Sequence, residues 1–451
     1  MSDRTCLSVV LAAGLGTRMR SSLPKVMHEI GGLPLVGHVL KALAEAGSSE
    51  VAVVVGPDMP ELEQTVSALS PSARCYVQSD RLGTAHAALA AREALSGSND
   101  DVLVLFGDTP LVTAETVANV RKRLAAGADV VVVGFEAADP FGYGRLLMEG
   151  EQLLAIREEK DASVEERKVT FCNSGIMGFS GSKILGLLDA IGNANSKGEY
   201  YLTDAVEIAN RDGLKVVAVA APEDEVQGIN TRAQLAICEG VFQERRRAFA
   251  MENGATLRAP QTVFFSHDTI IGEDVIIEQN VVFGPGVRVQ NGTEIRAFSH
   301  LEGAVVGTES RVGPFARLRP GANLEGKNHV GNFVEVKNAS VGLGAKINHL
   351  SYVGDAKVGA KSNIGAGTIT CNYDGFNKHL TEIGEGSFVG SNSTLVAPLS
   401  LGSGAYIAAG SVVTENVPDE ALAIGRGRQV VKNGLGKKLR ARFQAIKDAK
   451  R

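Results

Sequence analysis

The sequence predicts two unlike architectures in tandem: an α/β half built on a mostly parallel sheet, then a parallel β-helix. Three observations predict them. An aliphatic residue returns every six positions from roughly Ile271 to Val413. Strand-like and helix-like segments alternate up to Phe106. A Gly-rich turn directly follows the first apolar strand.

The repeat runs Ile271, Ile277, Phe283, Val289, Ile295, Leu301, then steps by five to Val306 and resumes through Val312, Leu318, Leu324, Val330 and Val336. It steps by five again to Val341, continues to Ile347 and Val353, and steps once more to Val358 and Ile364. After an interruption it restarts at Ile383 and reaches Val389, Leu395, Leu401, Ile407 and Val413. Six is neither a helical nor a heptad period. A hexapeptide repeat is the signature of a parallel β-helix. Each hexad gives a short strand and a turn, with the aliphatic side chain inward. The Gly that often follows it (Gly272, Gly284, Gly307, Gly331) permits the tight corner. Three hexads close a coil, and coils stack at about 4.8 Å. The repeat therefore predicts about seven or eight coils and a rod of roughly 35 Å.

At 451 residues the chain exceeds one core. Hydrophobic content of 44% and charged content of 22% fit a globular protein in water. A net charge of −5 gives no global pull toward nucleic acid, and none is expected as a partner. Five cysteines lie scattered without metal-like spacing, which suits a reducing compartment. The apolar run near the start is too short for a leader, and no run is long enough to span a membrane. The expected location is the cytoplasm, without membrane insertion.

Residues 5–13 read as a buried strand, followed by Gly14-Leu15-Gly16-Thr17-Arg18-Met19 and Pro24-Lys25. Bare backbone N–H groups in such a turn can approach phosphates, and Arg18 and Lys25 add charge. The spacing is neither Walker A nor the dinucleotide G-x-G-x-x-G. Taken alone, the glycines also suit a plain βα turn. Helix is predicted over Gly37–Ala46, Glu61–Leu69 and Gly83–Leu95, and strand over Val51–Val55, Cys75–Gln78 and Val102–Phe106. This alternation predicts helices on both faces of the sheet, with ligands beyond the carboxyl strand ends. Asp108 follows such an end. Its carboxylate suits Mg²⁺ at a nucleotide's phosphates, or equally a cap for the helix starting near Thr113. Gln78 with Leu82-Gly83-Thr84 can read a base edge or simply open a helix.

The turns at Gly142-Tyr143-Gly144-Arg145, Glu158–Asp161, Asn173-Ser174-Gly175, Tyr200–Asp204 and Gly228–Thr231 suit a sugar's hydroxyls. Residues 231–253 return to helical spacing and read as a linking helix. The expected domains are 1–232, a linker at 233–253, and 254–451 with a basic tail. A 13-residue insertion, TCNYDGFNKHLTE, leaves the coil before Ile383. Insertions project from solenoids as loops and often carry function. Arg317, Arg319, Lys337, His349, Tyr352 and Asn363 are polar on the coil surface before it. The two arginines and Lys337 suit a phosphate, and an imidazole suits a general base near neutral pH. His349 also fits an ordinary surface ladder. The last fifteen residues read as frayed and solvated.

The N-terminal pattern Leu11-Ala12-Ala13-Gly14-x-Gly16-Thr17-Arg18-Met19 with Pro24-Lys25 resembles the sugar-1-phosphate nucleotidylyltransferases. With Gln78, Leu82–His86, Gly107-Asp108, Gly142–Arg145, the hexapeptides and Cys371-Asn372-Tyr373-Asp374, residues 5 to about 430 resemble the bacterial bifunctional N-acetylglucosamine-1-phosphate uridylyltransferase/glucosamine-1-phosphate acetyltransferases. The resemblance implies a Rossmann-like domain followed by a left-handed β-helix that packs as a homotrimer. It implies UTP and acetyl-CoA as co-substrates, sugar phosphates as acceptors, and Mg²⁺. Leu11, Ala12, Ala13, Gly14, Lys25, Gln78, Gly83 and Thr84 would contact the uridine nucleotide, with Arg18 and Lys25 neutralising its phosphates. Asp108 and Asn230 would hold the metal, and Gly144, Glu158 and Asn173 the amino sugar. Arg319, Lys337, Tyr352 and Asn363 would bind glucosamine-1-phosphate, and His349 would take the amine's proton. Ala366, Asn372, Tyr373, Ser391, Ala409 and Arg426 would line the acetyl-CoA site. Two departures stand out: Arg81 where the family often has Gln, and Ser174 where it commonly has Thr. A nucleotidylyltransferase with an inert solenoid, and a scaffold without catalysis, remain as alternatives.

Overall fold

The computed structural model describes residues 4–195 and 197–450. The chain divides into two compact units. One holds residues up to Phe249 together with Phe265–His267, and the other holds Ala250–Phe264 and Asp268 onward.

In the first unit the sheet runs in the order Arg74–Val77, Glu50–Val55, Cys6–Leu11, Asp101–Phe106, Phe171–Ser180, Val130–Glu136, Val216–Ala220, Gln152–Arg157, Arg145–Glu149. The first four strands are mutually parallel, and Phe171–Ser180 runs against both its neighbours. Strand side chains alternate between the faces. Val53 and Val55 pack with Val36, Leu43, Leu62 and Val120 on one side. Val54, Val9 and Val104 pack with Ala88, Leu188 and Val206 on the other. Each buried valine or leucine among them contributes about 1.5–3 kcal/mol. The helix expected over 83–95 breaks at Ala91, giving Thr84–Ala90 and Arg92–Leu95. The helix at Arg232–Glu252 is not a bare connector. Cys238 and Phe242 pack into a cluster with Met19, Ile30, Leu35 and Leu111.

The second unit is a three-faced parallel coil. Ile277 pairs with Ile295, eighteen residues on, and Val330 with Ile347, seventeen on. The five-residue steps in the sequence are thus the short coils. One face carries ten strands, from Thr256–Leu257 to Leu422–Ala423, so the solenoid exceeds the seven or eight coils expected. The extra coils lie outside the aliphatic series, where Leu257 and Ala423 occupy the inward positions.

Two further expectations change. Gly331 and Gly390 follow inward aliphatics, yet neither has a left-handed φ. A Cβ on Gly331 would stand 1.9 Å from the Asn348 carbonyl oxygen, and one on Gly390 2.5 Å from the Ala409 nitrogen. Glycine is required there by the approach of the next coil. The left-handed corners fall later, at Phe298, Phe315, Phe333, Leu350 and Asp355. The repeat also persists past Ile364. Thr370 takes the inward position, is 1% exposed, and bonds its hydroxyl to the Gly354 N–H at 2.8 Å and carbonyl at 3.0 Å. A threonine in an aliphatic slot hid one hexad, and the loop therefore leaves between Cys371 and Thr381. The basic tail forms a helix, Leu435–Asp448, with every residue exposed. Its Leu, Lys, Arg, Ala and Gln content favours helix without a packed face.

His38 gives the first unit an acid response. Its Nε2 lies 2.8 Å from the Ile30 carbonyl, and its ring packs edge-on to Phe242 at 5.4 Å and beside His267. Burial, chiefly, lowers its pKa to about 4, with His267 and Lys41 adding in the same direction. The unfolded chain binds this proton from about pH 6.5, the fold only near 4. Stability is therefore full above 6.5 and lost as pH falls toward 4, by up to about 3 kcal/mol. Thermal melts between pH 7 and 4.5 are expected to fall more steeply for wild type than for His38→Gln; equal slopes would refute the assignment.

Candidate active sites

The carboxyl ends of the parallel strands in the first unit open on a cleft of about 730 Å³. Leu11, Ala12, Ala13 and Gly14 line it from the end of the first strand, and Asp108 from the end of Asp101–Phe106. Arg18, Lys25, Gln78, Gly83, Thr84, Asn173 and Asn230 complete that group. Lys25 Nζ donates to the Asp108 carboxylate and to Asn230 Oδ1 at 3.1 Å, while Arg18 Nη2 donates to the same oxygen at 2.8 Å. Asp108 does not cap the next helix. Thr113 does, accepting from the Thr116 N–H. The carboxylate is left facing the cleft.

Gln78 is buried, with Nε2 3.3 Å from His86 Nδ1. Gly83 has φ +118°, and a Cβ there would stand 2.5 Å from the Tyr200 carbonyl oxygen, so glycine is required. That contact brings Thr84 against the Tyr200 turn, where its hydroxyl accepts from the Leu202 N–H at 2.9 Å. Glu158 lines an adjoining cavity of about 210 Å³ together with Asn173 and Thr84. Burial raises its pKa. A carboxylate short of solvent is a strong acceptor for hydroxyl groups. Gly144 lies beside both: its added Cβ would be 3.5 Å from Glu158 Oε1. Arg145, in the same turn, is fully buried and holds Glu159 at 2.7 Å, so it supports the turn rather than facing the cleft.

On the coil, Arg319 Nη1 bonds Glu335 at 2.7 Å, and Glu335 pairs in register with Tyr352. Asn372 reaches Tyr352 Oη at 3.5 Å and also bonds Asp355, which accepts from Asn338 at 2.6 Å. Lys378, from the loop, crowds Lys337. Its amine, then Arg319, pushes the Lys337 pKa down. Like charges this close disfavour the charged form of each. Arg319, Lys337, Tyr352 and Asn372 thus come together.

His349 stands at the adjoining corner, 2.7 Å from Asn332 Oδ1 through Nδ1. In the neutral imidazole, Nδ1–H donating to that carbonyl makes Nε2 the nitrogen with the free lone pair. The corner continues from coil to coil. Gly367 N–H bonds the His349 carbonyl, Asn392 N–H that of Ala366, and Gly410 N–H that of Ser391. Ala409 precedes Gly410, and Arg426 lies over it. Ala366, Ser391, Ala409 and Arg426 therefore form one column leading away from His349. Asn363 opens the strand that ends at this corner, and Tyr373 is 60% exposed on the loop. Glu335, Asp355, Lys378 and Asn332 were missed by sequence reasoning. Asn332 carries a signal in hindsight: it lies one seventeen-residue coil before His349.

All five cysteines are free thiols. Among the described residues no cluster of three or more His, Cys, Asp or Glu stands ready for a metal, and no helix is long and apolar enough to cross a membrane.

Residues 8–169 match the MobA-like NTP transferase domain, and residues 381–415 the hexapeptide repeat of succinyl-transferase. The bifunctional protein GlmU of Azorhizobium caulinodans is 59% identical over 441 residues, covering 98% of each chain. That of Sinorhizobium fredii is 58% identical over 449 residues, covering 100% of this chain and 98% of its own. That of Bartonella quintana is 54% identical over 447, covering 99% and 100%. With this identity over the whole length, and with both motif sets folded as two separate sites, the chain belongs to the bifunctional GlmU family of uridylyl- and acetyltransferases.

Proposed function

We propose that the chain makes UDP-N-acetylglucosamine, a cell-wall precursor, with acetyl transfer in residues 254–451, uridylyl transfer in 1–232, and the helix at 233–253 between them. The observation that carries this reading is one chain with two chemically distinct sites: the Lys25–Asp108–Asn230 cleft and the Asn332-bound imidazole of His349 beside a basic cluster.

At the β-helix, Arg319 and Lys337 hold the phosphate of glucosamine-1-phosphate, and Tyr352 and Asn363 orient the sugar. His349 Nε2 takes a proton from the amine as nitrogen attacks the thioester carbonyl. The C–S bond breaks, and the proton taken from nitrogen passes from the imidazolium to sulfur, so that CoA leaves as the thiol. Acetyl-CoA lies along the corner lined by Ala366, Ser391, Ala409 and Arg426, with Asn372 and Tyr373 at the loop. In the cleft, a phosphate oxygen of N-acetylglucosamine-1-phosphate attacks the α-phosphorus of UTP, and the bond to the departing pyrophosphate breaks. Such transfers depend on positioning and charge neutralisation. Leu11 to Gly14, Gln78, Gly83 and Thr84 hold the nucleotide; Gly144, Glu158 and Asn173 hold the sugar; Arg18 and Lys25 face the phosphates. The Asp108 and Asn230 oxygens both bond the Lys25 ammonium, and a carboxylate with an amide carbonyl is a hard donor pair that suits Mg²⁺. When bound, Mg²⁺ supplies further neutralisation of phosphate charge. We read the assembly as a homotrimer through the β-helix, in the cytoplasm, where the free thiols stay reduced.

His349→Ala is expected to lower CoA thiol release about a hundredfold or more, with pyrophosphate release within about twofold of wild type. Asp108→Ala is expected to do the reverse, with a loss of about a hundredfold. Absence of thiol release by wild type would sink the acetyltransferase reading. Light scattering is expected to give the mass of three 47.3 kDa chains; a monomer would refute the trimer.

A further inference from the structure

Arg81 stands in the nucleotide cleft as a cation on a neutral anchor. Its Nε donates to the Ala13 carbonyl at 2.9 Å. The guanidinium lies against Gly56, where an added Cβ would be 2.7 Å from Nη2 and 3.4 Å from the Ala13 oxygen. Ala13 and Gly56 each follow the carboxyl end of a parallel strand, Cys6–Leu11 and Glu50–Val55. The slot is therefore part of the sheet's ligand-binding edge and not a chance surface contact.

The other two cations of the cleft are engaged differently. Lys25 is bonded to Asp108 and Asn230, and Arg18 to Asn230. Among the described residues no carboxylate is bonded to Arg81, and its one hydrogen bond goes to a neutral carbonyl. A guanidinium has five N–H donors in a fixed fork that matches phosphate oxygens, and the bond to Ala13 uses one. The fork is held while its full charge remains unmatched.

We infer that Arg81 binds the phosphates of the uridine nucleotide, adding a third cation to Arg18 and Lys25. This rests on the nucleotide reading of the cleft given above. A uracil edge is neutral and cannot match that charge, and the buried Gln78 amide already offers a neutral polar group at this side of the cleft. A glutamine in its place would bring no charge.

The test compares wild type, Arg81→Gln, Arg81→Lys and Gly56→Ala in pyrophosphate release. Gly56→Ala keeps the charge but displaces the guanidinium from its slot. Arg81→Gln is expected to raise the KM for UTP about ten- to hundredfold. The KM for N-acetylglucosamine-1-phosphate should stay within about twofold, and the UTP-over-CTP ratio of kcat/KM should not move. Arg81→Lys should recover part of the loss and Gly56→Ala should fall between. A wild-type melting transition of the first unit, which holds both Arg81 and Gly56, reports that each variant is folded. A collapse of the UTP-over-CTP ratio would assign Arg81 to the base and overturn the inference. So would a fall in kcat at unchanged KM, or no effect. Wild type without UTP-dependent pyrophosphate release would overturn the cleft's own reading, and this one with it.

Discussion

The β-helix rests on one interaction: an N–H of one coil bonding a carbonyl of the next. Paired residues are seventeen or eighteen apart in coils such as those pairing Ile277 with Ile295 and Val330 with Ile347, and 25 apart where the loop is inserted. Arg319 N–H reaches the Val336 carbonyl at 2.8 Å, and Gly331, one coil before Asn348, lets the chains approach. Because the bonds tie backbone to backbone, side chains cannot choose their neighbours. Asn332 must meet His349, and Glu335 must meet Tyr352. A conventional sheet can slip by a residue and reverse its faces. A coil that slipped by one would misplace every inward aliphatic at once, so the functional pairs inherit a register set by the core.

The α/β unit reaches a similar end by another route. Its parallel strands terminate together, so the peptide groups after Leu11, Val55, Val77 and Phe106 converge on one edge. Short turns there carry Gly14, Gly56, Gln78 and Asp108. A carboxylate at such a point can be spent on the next helix. Here Thr113 caps the helix, and Asp108 remains in the cleft with Lys25 and Asn230. Asn230 is distant in sequence. Only the return of the chain after Val216–Ala220 brings it against Arg18.

Much of this was legible in the sequence because it is periodic or local. The six-residue repeat named the coil, and the Gly14 turn and Asp108 lay at visible strand ends. What stayed hidden depended on chemistry that breaks a pattern. Thr370 satisfies its own hydroxyl inside the coil, so an aliphatic series appeared to stop there. Corner glycines looked like turn residues when the constraint was the coil above. Arg145 sat among candidate sugar contacts, yet its ion pair with Glu159 turns it into the sheet. Lys378 lay in the visible insertion, but nothing local shows that the loop folds back on Lys337.

The corner column beside His349 shows how the period serves more than architecture. Phe298, Phe315 and Phe333 all hold φ between 56° and 60°, with Leu350 next at 52°. Left-handed backbone costs a bulky residue about 1–2 kcal/mol. The rings stack at 4.9 and 5.3 Å, nearly parallel, and each pair returns about 0.5–1.5 kcal/mol. Stacking thus offsets much of the strain, and it does so only when successive corners share one conformation. Asn332 directly precedes Phe333, and His349 directly precedes Leu350. The side chains that fix the imidazole tautomer therefore project from two consecutive members of a column whose geometry is repeated beneath them. Placing the imidazole on a stacked corner instead of a free loop limits its motion, as the proposed role of His349 as a base toward an amine requires.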